Sequence, residues 1–282
     1  MHGHVAAIRF GVACMARDRV RVRSALTHEA RLVVVALQYF TRLPVPALET
    51  FDPRWLAQSV RYFPLAGLVV GSIAAGVFSA SSQVFAQPVA AALALIAAIV
   101  ATGAFHEDGL ADTFDALGGH VTRERALEIM RDSRIGTYGA AALSLALLLR
   151  WQILATLPPE ASVAYLLAAH PAARATAASL MAASPYVRLE ADAKAKPVAE
   201  GVGASQLIAA FAIAAAPLVG ASLAWPGART ALVAGVLTLP VVFLACRAWF
   251  LRRLGGYTGD ALGCSEQFVE IAFGLAMLAV LS

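Results

Sequence analysis

The chain has 282 residues, of which 60% are hydrophobic and 14% are charged, whereas soluble domains average roughly 45–50% apolar and 25% charged residues. This composition excludes a disordered chain, a nucleic-acid-binding domain and a secreted disulfide scaffold, and it favours an all-α, polytopic integral membrane bundle. The three cysteines are odd in number and form no CxxC pair, so no disulfide framework or zinc site is predicted.

The N-terminal part of the chain differs from the rest in its arginine content. RDRVRVR occupies residues 17 to 23, so we predict an arginine-rich extension over 1–30 and a single membrane-embedded catalytic domain over 31–282. Contact of the extension with anionic lipid is the alternative. The apolar segment 32–40 is too short to span a bilayer and runs into TRLPVP, whose prolines end a helix. We expect it to be interfacial or re-entrant.

Seven apolar stretches have about the 20 residues that a spanning helix needs. They cover residues 63–83, 88–105, 137–156, 161–182, 205–224, 230–249 and 266–282. The connections alternate between nearly uncharged loops and loops rich in arginine or lysine. Because Lys and Arg are enriched in cytoplasmic loops, we expect the N-terminus and the three charged loops to face the cytoplasm, in a bacterial inner membrane.

The connection after the second stretch is the most charged segment of the chain. Residues 106–139 hold seven of the 18 acidic residues. Asp108, Asp112 and Asp115 are spaced i, i+4 and i+7, which places the three carboxylates within about 60° on a helix. Mg²⁺ prefers such oxygen ligands, so we predict a magnesium site here, with Glu107 and His106 beside it. A solvated charged loop is the alternative.

Arginines follow in EIMRDSRIGTYG, where Arg131 and Arg134 lie one helical turn apart. Such a pair could bind phosphate or form local salt bridges with Glu128 and Asp132. A second polar block, GGYTGDALGCSEQ at 255–267, is expected at the same membrane face. Asp260 in this block is predicted to be a further metal ligand or a base.

Ionisable residues within the spans are costly in a bilayer and should face the bundle interior. Among them, Arg174 is predicted to clamp a phosphate and Glu270 to support the metal site. His170 is expected to be a packing residue, and snorkelling or salt bridging is expected for Arg150.

Carboxylates with Mg²⁺ and nearby arginines favour phosphoryl transfer. Three alternatives stay open: a CDP-alcohol lipid headgroup phosphotransferase, a cation transporter, and a non-catalytic scaffold. The pattern of the first alternative is only partly present, because Asp112 replaces its arginine. A transporter would need carboxylates near the bilayer midplane.

Five blocks together resemble the cobalamin synthase family, the adenosylcobinamide-GDP ribazoletransferases. They are FTRLPVP at 40–46, RYFPLAGLVVG at 61–71, FHEDGLADTFDAL at 105–117, EIMRDSRIGTYGAAAL at 128–143 and GGYTGDALGCSEQFVEIAF at 255–273. The resemblance implies an enzyme that joins adenosylcobinamide-GDP to α-ribazole or its 5′-phosphate and releases GMP.

We combine the resemblance with the chemistry of the residues to predict roles for residues in these blocks and for Arg174, which lies outside them. Asp112, Asp115 and Asp260 would be catalytic, Glu107, Asp108, Asp112 and Asp115 would bind Mg²⁺, and His106, Arg131, Arg134, Arg174, Thr258 and Gly259 would bind substrate. Further expected partners are membrane lipid, a second copy of the chain and other late-pathway enzymes, with no nucleic acid.

Overall fold

The computed structural model describes residues 27–48, 52–187 and 202–282. The arginine-rich segment 17–23 lies outside the described residues. The described chain is helical, apart from one isolated bridge between Tyr186 and Tyr257. Its helices are α1 over 27–40, α2 Pro53–Ser59, a 3₁₀ turn Val60–Tyr62, α3 Phe63–Ser81, α4 Gln87–Thr102, α5 Phe105–Leu117, α6 Arg123–Ile129, α7 Thr137–Thr156, α8 Pro159–Ala183, α9 Ala204–Ala224, a 3₁₀ turn Pro226–Ala228, α10 Arg229–Leu254 and α11 Gly259–Leu281.

The predicted fold class is confirmed, while the number of spans is approximate. All seven apolar stretches are helical. Five helical segments are long and apolar enough to cross a membrane, and a sixth is added if α4 and α5, which meet at 87°, count as one broken span. The predicted segment at 32–40 lies within α1, which ends at residue 40, immediately before TRLPVP.

Helix α8 forms the centre of the bundle. Most of its residues are buried, and alanine predominates among them. On α3, a Cβ at Gly67 would lie 2.6 Å from the carbonyl oxygen of His170, and one at Gly71 would overlap the carbonyl oxygen of Leu166. Small residues spaced i, i+4 let two membrane helices approach closely. The tight packing of α3 on α8 therefore depends on these two glycines.

A sharp bend separates α4 from α5. Gly103 and Ala104 both have left-handed backbone conformations, with φ of 68° and 61°. The N–H groups of both residues donate to the carbonyl of Ile99 and close the end of α4. Glycine adopts this conformation easily, whereas alanine does so rarely. The bend turns the acidic segment back against the bundle.

The two polar segments at 106–139 and 255–267, which the sequence placed in loops between spans, are partly helical. Helix α5 occupies Phe105–Leu117 and packs on α7 and α11, so the first third of the segment 106–139 belongs to the bundle. Helix α11 begins at Gly259, whereas the sequence placed the start of the last span at 266. Asp108 and Asp260 therefore lie near the beginnings of two packed helices.

Candidate active site

A cavity of about 780 Å³ opens where α1, α5, α8 and α11 meet. Residues of the loop after α6 and of α2 complete its wall. Six of the residues predicted from the sequence line it: His106, Asp108, Arg131, Thr258, Gly259 and Asp260. The structure thus gathers residues from three separate sequence blocks around one space.

Two glycines bring the acidic ends of α5 and α11 together. A Cβ at Gly109 would lie 2.8 Å from the carbonyl oxygen of Asp260, and one at Gly263 would lie 3.3 Å from the Cα of His106. Only residues without a side chain allow this approach. This close contact explains why Gly109 lies within α5, although a glycine inside an isolated helix lowers the stability of that helix by about 1 kcal/mol.

Two carboxylates, Asp108 and Asp260, line the cavity, and Asp112 lies close to both without lining it. Asp108 is exposed, and Asp112 and Asp260 are half-buried. Asp108, Asp115 and Asp260 all lie close enough to Asp112 to repel its negative charge. Such repulsion favours a cation or a proton among these groups.

Asp115 differs from the other carboxylates because both of its oxygens accept backbone hydrogen bonds. The N–H of Gly136 donates to one oxygen at 2.6 Å, and the N–H of Gly139 donates to the other at 2.8 Å. A Cβ at either glycine would overlap the carboxylate. Asp115 thus caps the N-terminus of α7, a placement that favours a structural role over the predicted catalytic and metal roles.

The two predicted phosphate-binding arginines have different surroundings. Arg131 lines the cavity. Arg134 does not line it. Its side chain is 87% exposed, and its guanidinium donates three hydrogen bonds to the Asp132 carboxylate, two from Nε and one from Nη2. The same contact lowers the pKa of Asp132 to about 2. The local salt bridge that the sequence left as an alternative is therefore present for Arg134.

A network of buried ionisable side chains adjoins the cavity, which its members His106 and Glu266 also line. We call it the buried charge network. Its contacts are Arg150 to Glu107 at 3.0 Å, Arg150 to Glu270 at 2.6 Å, His170 to Glu270 at 2.7 Å, His106 to Glu266 at 2.9 Å and Arg174 to Glu266 at 3.7 Å. These residues come from α5, α7, α8 and α11.

The network contains three residues for which the sequence predicted direct roles at the site: His106, Glu107 and Arg174. His106 also lines the cavity. Glu107 is 6% exposed and bonded to Arg150 and Gln267, and Arg174 is fully buried with its guanidinium carbon 5.2 Å from the ring centre of Phe40. Neither lines the cavity. This placement favours charge balance within the bundle over metal binding by Glu107 or phosphate binding by Arg174.

Comparison with known proteins identifies the family. The sequence profile described as cobalamin-5-phosphate synthase matches residues 32–278. The chain belongs to this family. It is 45% identical to the adenosylcobinamide-GDP ribazoletransferase of Leptothrix cholodnii, over 91% of this chain and 98% of that protein. It is 42% identical to the protein of the same name from Shewanella amazonensis, over 92% and 99%, and 40% identical to one from Vibrio cholerae, over 91% and 96%. No solved structure matches the chain.

Membership of the cobalamin-5-phosphate synthase family makes the chain a transferase of cobalamin biosynthesis and confirms the resemblance. All five motif blocks fall within the matched residues. In the structure, all five contribute residues to the same cavity wall, for example Phe40, Phe63, Asp108, Arg131 and Asp260.

The aromatic lining of the cavity was not predicted from the sequence. Tyr39, Phe40, Phe63, Phe105, Tyr186 and Tyr257 all lie on the wall. Four of these rings belong to the motif blocks FTRLPVP, RYFPLAGLVVG, FHEDGLADTFDAL and GGYTGDALGCSEQFVEIAF. The presence of these rings in the motif blocks could have indicated that they line the site, but aromatic residues near membrane helices are ordinarily assigned to packing.

The donor atoms near the acidic site are of the kind that Mg²⁺ prefers. Among the described residues, no group of three or more His, Cys, Asp or Glu side chains is arranged to hold a metal ion. Mg²⁺ is commonly bound through one or two carboxylates, with substrate phosphates and water completing its coordination. Asp108 and Asp260, which line the cavity, fit such a partial site, with Asp112 close to both, whereas Asp115 and Glu107 are engaged elsewhere.

Proposed function

We propose that the protein transfers the cobinamide phosphate of adenosylcobinamide-GDP to α-ribazole, or to α-ribazole 5′-phosphate, and releases GMP. The relatives named for this reaction are 40–45% identical over nearly the whole chain. The observation that carries the proposal is the convergence of Asp108 from α5, Asp260 from α11 and Arg131 in one cavity. Two carboxylates and a guanidinium are suited to a phosphate transfer.

In this reaction a ribose hydroxyl of the acceptor forms a new O–P bond at the phosphorus joined to cobinamide. The P–O bond to the GMP phosphate breaks, and the hydroxyl proton passes to a carboxylate. Asp112 is half-buried beside other acids, and its burial and the neighbouring carboxylates raise its affinity for a proton, which suits it to act as the general base. Asp260, which lines the cavity, is the other candidate. Arg131 is placed to hold the diphosphate oxygens.

We further propose that the reaction uses Mg²⁺, which Asp108, Asp112 and Asp260 would hold. When bound, it would neutralise charge on the departing GMP. Without a cation, these carboxylates would repel the diphosphate as well as one another. Asp108 is the most exposed of the three and offers the most accessible oxygens.

The proposed location is the bacterial inner membrane, with the cavity facing the cytoplasm. The loop arginines Arg123, Arg125, Arg252 and Arg253 lie at the ends of α6 and α10, close in the chain to cavity residues. Arginine-rich connections favour the cytoplasmic side. Lipid, a second copy of the chain and soluble enzymes of the same pathway remain proposed partners.

The reaction is tested by incubating purified protein with adenosylcobinamide-GDP, α-ribazole and Mg²⁺ and measuring GMP. We expect GMP release that is lost with EDTA and restored by added Mg²⁺. Asp112→Asn should abolish release while the protein stays folded in the membrane. Glu160→Gln, which removes an exposed carboxylate from the first turn of α8, is the control and should turn over normally.

Two results would contradict the proposal. Near-normal turnover by Asp112→Asn would refute the role of the acidic site. Release of CMP from a CDP-alcohol, without release of GMP from the corrinoid, would instead assign the chain to the lipid headgroup phosphotransferases.

A further inference from the structure

Six tyrosine and phenylalanine residues line the cavity. We call the six residues Tyr39, Phe40, Phe63, Phe105, Tyr186 and Tyr257 the aromatic wall. They line the same cavity as the charged groups of Asp108, Arg131 and Asp260. The cavity therefore combines a polar region suited to phosphates with a large aromatic surface that phosphate binding does not require.

The rings of the aromatic wall support one another. Tyr39 and Phe63 are stacked with centroids 5.9 Å apart and planes at 6°, and Phe40 meets Phe63 edge to face at 4.6 Å. Tyr186 and Tyr257 meet at 5.4 Å and 62°. Tyr39 and Phe105 remain 36% and 39% exposed. Rings fixed by such contacts present a rigid surface for a flat ligand.

Tyr257 carries a polar group that the protein leaves unsatisfied. The residue is 2% exposed, and its hydroxyl has no hydrogen-bond partner among the described residues. Its backbone is fixed, because its N–H donates to the carbonyl of Pro185 and its carbonyl accepts from the N–H of Val187, each at 2.9 Å. A buried hydroxyl without a partner is costly in a native protein.

Burial also raises the pKa of the Tyr257 phenol, so the hydroxyl stays protonated and can donate a hydrogen bond. Tyr186 and Tyr39 lie close enough to act electrostatically on it. Since Tyr257 lines the cavity, a bound molecule can supply the missing acceptor.

We propose that the aromatic wall binds the heteroaromatic base of the acceptor nucleoside, and that the hydroxyl of Tyr257 donates to the unsubstituted ring nitrogen of that base. This inference rests on the proposed function and names a subsite within it. Because the acidic groups and Arg131 lie on the same cavity, a base held on the wall keeps its ribose near them.

The chemistry of the wall favours the acceptor base over the guanine of the donor. Guanine presents several donors and acceptors along its edge, and burying them without partners is unfavourable. A benzimidazole joined to ribose presents one acceptor nitrogen and otherwise only C–H groups. The aromatic wall matches that pattern, with extensive ring surface and one unsatisfied donor.

The test measures binding without turnover. Purified protein in detergent is dialysed to equilibrium against α-ribazole, or against the matched riboside in which an indole replaces the benzimidazole and the acceptor nitrogen is absent. We expect the wild type to bind α-ribazole about fivefold more tightly than the indole riboside, as for one hydrogen bond. Tyr257→Phe should bind both equally.

Tyr138→Phe is the matched control, because Tyr138 is exposed and does not line the cavity. It should retain the fivefold preference. Phe105→Leu removes an exposed ring face of the aromatic wall and should weaken both ribosides by the same factor. This second variant keeps the proposal testable if Tyr257→Phe fails to fold.

A preference that persists in Tyr257→Phe would overturn the proposal, as would wild-type protein that binds neither riboside. Weaker binding of GDP by Tyr257→Phe, with the riboside preference unchanged, would assign the wall to the donor base instead. Failure of the proposed function is distinguishable: α-ribazole would bind with the expected preference, but GMP would not be released from adenosylcobinamide-GDP.

Discussion

Asp108 and Asp115 share one face of α5, yet their surroundings give them different roles. Asp108 is exposed at the cavity, whereas both oxygens of Asp115 accept N–H groups at the start of α7. The i, i+7 spacing places both carboxylates on one face of a helix, but it does not specify what that face meets. The acidic residues nearest the reaction are therefore expected to be Asp108, Asp112 and Asp260.

Substitution by asparagine should separate these roles. Asp108→Asn is expected to lower GMP release by at least about 100-fold without lowering the melting temperature, because it relieves repulsion with Asp112. Asp115→Asn is expected to lower the free energy of unfolding by about 1 kcal/mol, as for a lost helix cap, while folded protein keeps most of its activity. Activity and thermal unfolding in detergent are measured on both variants. A larger activity loss in stable Asp115→Asn would contradict this assignment.

The two arginines of RDSR should also differ. Arg131→Ala is expected to raise the KM for adenosylcobinamide-GDP about tenfold, because a charged hydrogen bond to phosphate is lost. Arg134→Ala serves as its control and should change the KM little, since Arg134 is exposed and bonded to Asp132. Steady-state kinetics with the donor varied would measure both, and equal effects would refute the distinction.

At the scale of elements, the sequence predicted the helices well and their junctions poorly. The seven apolar stretches, the end of α1 at TRLPVP and the helical spacing of the aspartates all match the structure. The bend at Gly103 and Ala104 could not be read from local pattern, because a left-handed alanine has no compositional signal. The start of α11 at Gly259 was missed because its first turns are polar and glycine-rich.

The contact between α5 and α11 can be tested at Gly109. In Gly109→Ala, the new Cβ would lie 2.8 Å from backbone of Asp260, so the helices must separate. Overpacking of this kind costs about 1–3 kcal/mol, and it also displaces Asp108 from Asp260. We expect Gly109→Ala to have a lower melting temperature. We also expect its GMP release to fall by more than the fraction of unfolded protein accounts for.

Gly76→Ala is the matched control because it also lies within a helix and nothing surrounds its Cβ position within 4 Å. It should leave activity unchanged and preserve or slightly raise stability. Equal behaviour of the two variants would show that the close approach of α5 to α11 is not required.

At the scale of the whole molecule, the few charges of a hydrophobic chain serve two purposes. Some line the cavity and some form the buried charge network that joins four helices, and His106 and Glu266 do both. The sequence predicted that ionisable residues within the spans face the interior. It could not pair them, because the partners of Arg150 lie 43 and 120 positions away, at Glu107 and Glu270.

The buried charge network should contribute to stability cooperatively. Arg150→Met leaves Glu107 and Glu270 buried without their guanidinium partner, which should cost roughly 3–5 kcal/mol. Glu270→Gln removes one of these carboxylates, so the double variant should be more stable than the sum of the single losses predicts, by about 0.5–3 kcal/mol.

Arg125→Met is the control. It breaks an exposed pair with Glu128 and should change stability by less than about 1 kcal/mol. Unfolding free energies of the four variants in detergent measure the coupling. Strict additivity would show that Arg150 and Glu270 stabilise the bundle independently, despite their 2.6 Å contact.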